Sequence, residues 1–369
     1  MNIGIAGAGL CGRLLGWQLL RGGHAVTLFD RDASGAQSAG HIAAAMLAPY
    51  SEAVTVGPEV LEPGLAALEQ WPRWLELLAE HSSREVPLRI DGSLVVAHSG
   101  DRADLHWFHR RLRGLETEIQ GDSWWLQREQ VALLEPALKE FSEALLLPRE
   151  GWVDNRALYL ALGDAIDALG GRWQVGREIL VVAAGQIRCA GGEERFDLVL
   201  DCRGFGARQQ LENFRGVRGE LLRVRAPEVR LGRPVRLMHP RYQLYVVPRP
   251  AGVYIIGATE IESESMAPVT VRSSLELLSA LYTLHSGFAE AEVLEASAHC
   301  RPAFADNLPR IIQREGLLQV NGLYRHGFLL APALVSSVLA AIEGSEVCPP
   351  IQLEHYREPP GQVAKEPNR

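Results

Sequence analysis

Paired cysteines, basic charge and long apolar runs are all scarce in this chain, and each shortage removes a class of function. The five cysteines (Cys11, Cys189, Cys202, Cys300 and Cys348) are odd in number, and no two stand as CxxC. That pattern argues against a disulfide framework or a zinc site and points to a reducing compartment. The net charge is −8 and the pI about 5.8, the wrong sign for a nucleic-acid partner. The first apolar run, Ile3 to Leu10, is broken by Gly4, Gly7 and Gly9 and has no basic flank, so it does not read as a signal peptide. A late apolar stretch, Gly327 to Ile342, holds Pro332 and the pair Ser336-Ser337, and falls short of the ~20 residues of a membrane span. A cytoplasmic protein with no membrane span is expected. Repeats and low-complexity blocks are also absent.

What is present suffices for large cores. The chain has 369 residues, 47% of them hydrophobic, which suggests two domains or one elaborate one. Residues 2–7 read as a buried strand, 10–22 as a helix with a dense leucine face, and 24–29 as a second strand ending at Asp30. Residues 33–49 are rich in Ala, Gly and Ser, which lets backbone lie close to something bulky. A helix is expected over 58–82 with Pro63 and Pro72 as breakers, a hairpin over 87–97, and helices over 100–117 and 124–139. The segment 151–170 reads as a helix capped by Asp154 or Asn155. Strands follow at 173–190, 195–202 and repeatedly over 217–262, then a helix near 270–286. The chain closes with a strand, the loop Tyr324 to Phe328, a helix that Pro332 suits in its first turn, and a fraying tail.

Gly7-Ala8-Gly9-Leu10-Cys11-Gly12 is a GxGxxG sequence between a strand and a helix, with Asp30 placed 18 positions after Gly12. Gly7 permits a tight turn, Gly9 lets backbone approach a pyrophosphate, and Gly12 lets helix and sheet pack closely. The helix start offers free N–H groups and partial positive charge to phosphates. Asp30 would accept hydrogen bonds from a ribose. These residues point to a dinucleotide and leave NAD and FAD both open.

Further segments narrow the choice. Ser38 to Glu52 (SAGHIAAAMLAPYSE), Val199 to Arg208 (VLDCRGFGAR), Val217 to Glu220, Tyr245 to Arg249, Gly257 to Glu260, Arg301-Pro302 with Asp306, and Gly322 to Pro332 follow in that order. In this order they resemble the D-amino-acid oxidase-like FAD oxidoreductases, most closely the glycine oxidase branch. The resemblance implies α/β and α+β architecture: a discontinuous Rossmann-like FAD-binding domain over 1–45, 150–215 and 310–345. It implies a substrate domain on a mixed or antiparallel sheet over 46–149 and 216–309, and a tail over 347–369. Departures stand at Leu323, Phe304, His326 and Asp306-Asn307, near where substrate is expected.

By this resemblance FAD would meet Gly7 to Gly12, Asp30 and Arg31 at its adenosine end. Ser38, Ala43, Ala44, Ala45 and Met46 would run beside it, with Ile179, Cys202, Gly204 and Gly206 beneath. His326, Gly327, Phe328, Leu329 and Arg301 would meet its far end. The flavin carries the chemistry of amine oxidation, so the protein must hold a small substrate by its carboxylate. An arginine suits that task. Arg325, beside a helix start, is the first choice and Arg301 the second. Tyr245 would add a hydroxyl, and strand alternation puts Gln243 on its side. Glu260 could attract an ammonium or remove its proton. The activity implied is oxidative deamination of glycine, sarcosine or a D-amino acid, with imine release and oxygen reduced to hydrogen peroxide. Two alternatives stand beside it: a dehydrogenase passing electrons to a quinone or other acceptor, and a non-catalytic accessory flavoprotein. The family leans towards homo-oligomers.

Overall fold

The computed structural model describes residues 1–32, 34–115, 124–239, 244–345 and 351–355. Two large sheets organise them. The first has seven strands in the order Gln352–His355, Arg310–Arg314, Leu317–Asn321, Leu198–Asp201, Asn2–Ala6, Ala25–Asp30, Arg172–Val175. From Leu317–Asn321 to Arg172–Val175 every pairing is parallel. Parallel strands are covered on both faces, and the residue alternation obeys this. Ile3, Ile5, Leu28, Leu200 and Leu318 point into a core shared with helices Leu10–Arg21, Asn155–Ala168 and Gly327–Ile342. Ala6, Phe29, Val199 and Leu317 face the other way, onto a small antiparallel sheet of Ile179–Ala183, Gln186–Cys189 and Gly192–Arg195.

The second sheet has eight strands and is mostly antiparallel. Its long pair, Phe214–Arg225 and Glu292–Phe304, continues through Val253–Gly257, Leu244–Arg249 and Val235–Met238. Ser93–Ala97, Glu143–Leu147 and Trp124–Gln127 complete it. Helix Val271–Leu284 packs on one face through Leu277, Ala280, Leu281 and Leu284.

Several local expectations are corrected. Residues 87–97 are not a hairpin: Leu88–Arg89 pairs with Gly151–Val153, while Ser93–Ala97 enters the large sheet. Gly92, at φ 97°, turns the chain from one sheet to the other, and its N–H bonds Glu150 O instead of closing a two-strand turn. The helix expected over 124–139 is a strand, Trp124–Gln127, followed by a short helix, Arg128–Leu134; the Trp-Trp pair favours a pleated surface. Pro63 and Pro72 do not break helix Leu61–Ala79. Pro63 lies in its first turn, where the missing N–H has no partner to lose. Within the expected tail, Gln352–His355 adds a parallel edge strand beside Arg310–Arg314.

Pro332 is not in a first turn. The last helix starts at Gly327, so proline is its sixth residue. It cannot donate to the carbonyl of Phe328, four residues earlier. The Trp71 indole takes over, donating from Nε1 to Phe328 O at 3.0 Å. Trp71 is fully buried and stacks on the Phe328 ring. Trp71→Phe should therefore leave a buried carbonyl unpaired and cost about 1–3 kcal/mol. Urea unfolding of the variant checks this; an unchanged midpoint contradicts it.

Candidate active site

A cleft of about 1340 Å³ runs between the two sheets. At one end lies the glycine turn. Gly7 has φ 93°, and a Cβ on it would stand 2.7 Å from Cys202 O. A Cβ on Gly12 would stand 1.9 Å from Gly7 O. Those two glycines let the chain pack on itself. Gly9 differs: a Cβ there would meet nothing nearer than Ser38 Cβ at 3.8 Å, so it opens onto the cleft. The helix beginning at Leu10 has no side-chain cap, which leaves its first N–H groups free for an anion. Asp30 accepts from Ala8 N at 2.7 Å and Asp32 N at 3.0 Å. Buried Arg13 holds the next peptide, donating to Ala8 O at 2.9 Å.

The cleft wall includes Arg31, Ser38, Ala43, Ala44, Ala45 and Met46. It continues through Ile179, Cys202, Gly204 and Gly206. Ala8 and Gly12 sit behind it. The small-residue segment is fixed by a residue given no role above. Arg249 is buried, donates from Nη2 to Ala44 O at 2.6 Å and lies over the Trp152 ring.

The far end is a cluster of charges. Glu52, on helix Pro49–Val56, is bound by Arg325 from Nε at 2.9 Å and from Nη2 at 3.2 Å. His326 Nδ1 stands 2.9 Å from the same carboxylate, and Arg236 Nη2 3.5 Å. Burial pushes the Glu52 pKa up, but Arg325, His326 and Arg236 outweigh it and hold the carboxyl well below the usual carboxylate range. Burial likewise opposes the charge on Arg325, and Glu52 and Glu260 more than restore it, raising its pKa.

Arg325 is thus committed. Its Nη1 donates to Glu260 Oε2 at 3.0 Å, and the Tyr324 hydroxyl donates to Glu260 Oε1 at 2.7 Å. Both oxygens of Glu260 are engaged, one by each neighbour. Arg301 is in a different state. Its Nη2 donates to Thr259 O at 3.1 Å, and its guanidinium lies against Gly219, where a Cβ would be 2.4 Å from Nη2. Its Nη1 is buried with no hydrogen-bond partner among the described residues. Tyr245 crosses Gly257 on the neighbouring strand and lines the same cleft, with Gly327, Phe328 and Leu329 opposite. Gln243 lies outside the described residues.

Of the departures noted in the sequence, Leu323 and His326 line the cleft and Phe304 and Asn307 do not. Phe304 is buried against Gly322 and Phe214. Asn307 accepts from Arg215 Nη2 at 3.0 Å. The expectation that these two lie near substrate is corrected: they are packing residues. Glu52, Tyr324, Arg236 and Arg249 were the ones missed. A charged residue inside an apolar strand, as in Val235-Arg236-Leu237-Met238, was the signal for one of them.

A family model described as FAD dependent oxidoreductase (DAO) matches residues 2–341. The chain belongs to this family. FAD is its cofactor. A Rhizobium etli protein assigned as the thiamine biosynthesis oxidoreductase ThiO is 40% identical over 339 residues, covering 92% of this chain and 95% of that protein. Glycine oxidase from Geobacillus kaustophilus is 27% identical, with 94% and 93% covered. The crystal structure of that oxidase superposes with a TM-score of 0.82 at 25% identity, covering 93% and 95%. Iminodiacetate oxidase from Chelativorans has the same fold, with a TM-score of 0.81 at 22% identity, covering 95% and 99%. The open face of Gly9, the uncapped helix start and the small-residue wall fit the family's dinucleotide.

Two outcomes follow from this geometry. Gly9→Ala should fold normally but retain little FAD, because its Cβ enters open space meant for ligand; Gly12→Ala should damage the fold itself. Apoprotein melting and flavin content separate the two, and equal behaviour would contradict the assignment. Buried Glu150 lies one residue contact from the charge cluster: Ser51 N and Oγ bind it at 2.7 and 3.0 Å, and Ser93 Oγ at 2.5 Å. Burial pushes its carboxyl up to about 7. The folded state then holds this proton more tightly than the unfolded chain, whose glutamates titrate near ~4.3. Stability from this group is full below that value and is lost as pH rises towards 7. Glu150→Gln should flatten the melting temperature over that window; an unchanged slope contradicts the assignment.

Proposed function

We propose that this flavoenzyme oxidises a small amino acid or amine carrying a carboxylate, with oxygen as final acceptor and hydrogen peroxide and an imine as products. One observation carries the reading: Arg301 lines the cleft, and its buried Nη1 has no hydrogen-bond partner among the described residues. A buried unpaired cationic donor is costly unless a ligand completes it. A carboxylate is the anion that matches a guanidinium edge. When bound, FAD supplies the acceptor for a hydride from the substrate carbon.

The side chains do the rest. Arg301 holds the carboxylate, and the Tyr245 hydroxyl, across the same strands, donates a further hydrogen bond to it. Arg325 takes a different part from the one first expected. Held by Glu52, it keeps positive charge at the start of helix Gly327–Ile342, whose dipole points the same way. Negative charge developing nearby is stabilised by both. The names of the relatives, glycine oxidase and ThiO, support an amino-acid substrate.

Arg301→Leu should raise KM for the amine substrate by roughly tenfold to a hundredfold, the worth of a charged hydrogen bond, with flavin content unchanged. Oxygen uptake with glycine, sarcosine and D-alanine, beside anaerobic bleaching of the flavin band, reads this. An unchanged KM overturns the role of Arg301. Bleaching without oxygen uptake overturns the oxidase.

A further inference from the structure

We propose that Glu260 sets the substrate class of this site: by holding Arg325 Nη1 it restricts the cleft to amines with one carboxylate and excludes those with a second. The inference rests on the proposed function and adds to it the reason for a single anionic handle.

Two arginines face the cleft within a short stretch of structure. Arg301 donates to the carbonyl of Thr259, and Arg325 donates to the carboxylate of the next residue, Glu260. The end of strand Val253–Gly257 therefore leads into a segment flanked by two guanidinium groups. If both were open, a substrate with two carboxylates would bind across them. Arg325 is closed on two sides, and the two closures differ in kind. Glu52 takes Nε and Nη2 and has a side chain only 10% exposed. Glu260 takes Nη1 and is 50% exposed. The first is a fixed support. The second occupies the edge of the guanidinium that a ligand carboxylate would use, in a bond geometry that a ligand carboxylate would copy.

Glu260 is also tethered. The Tyr324 hydroxyl binds its other oxygen, and Tyr324 holds a backbone φ of 47°, fixed by its N–H donating to Pro302 O. A second substrate carboxylate would have to displace Glu260 from both partners and then lie beside its charge. Like charges held close disfavour binding, and that repulsion is how a site rejects a competitor. A substrate with one carboxylate uses Arg301 alone and leaves the Glu260 clasp closed.

The test uses the FAD-loaded enzyme and unreactive probes: acetate for one carboxylate, malonate and succinate for two. Binding is read from the perturbation of the flavin absorption band, at high salt so that long-range charge effects are screened. The wild type should bind both dicarboxylates no better than acetate. Glu260→Gln and Glu260→Ala should each shift the dicarboxylate-to-acetate affinity ratio by about tenfold or more for at least one dicarboxylate, the size of one charge-assisted hydrogen bond. Tyr324→Phe, which keeps the charge and removes one tether, should shift it in the same direction by less. Glu276→Gln removes a charge elsewhere on the cleft wall and should leave the ratio alone. An unshifted ratio in the Glu260 variants overturns the proposal, as does a wild type that already prefers dicarboxylates, or a Glu276 shift equal to that of Glu260. If the Glu260 variants lose FAD, an unshifted ratio in Tyr324→Phe overturns it. Failure of the underlying reading looks different: acetate binding would then be indifferent to Arg301→Leu.

Discussion

The site depends on one buried carboxylate. Glu52 collects Arg325, His326 and Arg236 around two oxygens, deep enough that an unpaired charge there would be strongly unfavourable. Its value is positional. It joins helix Pro49–Val56 to the turn before helix Gly327–Ile342, across 273 residues of sequence. The same contact commits Arg325, which is the ground for proposing Arg301 as the guanidinium that takes substrate.

Two backbone devices place the rest. At the glycine turn, Gly7 and Gly12 allow strand and helix to touch, while Gly9 leaves room. At the charged end of the cleft, Pro332 frees a carbonyl and Trp71 binds it, which ties helix Leu61–Ala79 to the last helix close to its start. Arg249 secures the Ala44 backbone between them. Each device fixes main chain that borders the cleft.

How far the sequence could be read follows from the range of the interactions. The opening strand, glycine turn, helix and Asp30 are local, and were legible from spacing alone. The Asp154 cap was legible for the same reason; it accepts from Arg156 N and Ala157 N. The ranking of Arg325 above Arg301 was made without what distinguishes them, because that lies far away in the chain. No local pattern announces that Glu52 will meet Arg325, or that Arg301, among the described residues, will find only a carbonyl. Residues 87–97 failed similarly: they were read as a hairpin, whereas each strand found its partner elsewhere. Phe304 and Asn307 were misread because they follow Arg301 and Pro302, which line the cleft, and they themselves do not.

The central claim is that Arg301, and not Arg325, receives the substrate carboxylate. A crystal structure of the FAD-loaded enzyme with glycolate, an unreactive stand-in for glycine, tests it most directly. The account predicts the carboxylate on Arg301 Nη1, with Arg325 still clasped between Glu52 and Glu260. A carboxylate seated on Arg325, with Glu260 swung away and Arg301 Nη1 still unpaired, would contradict it.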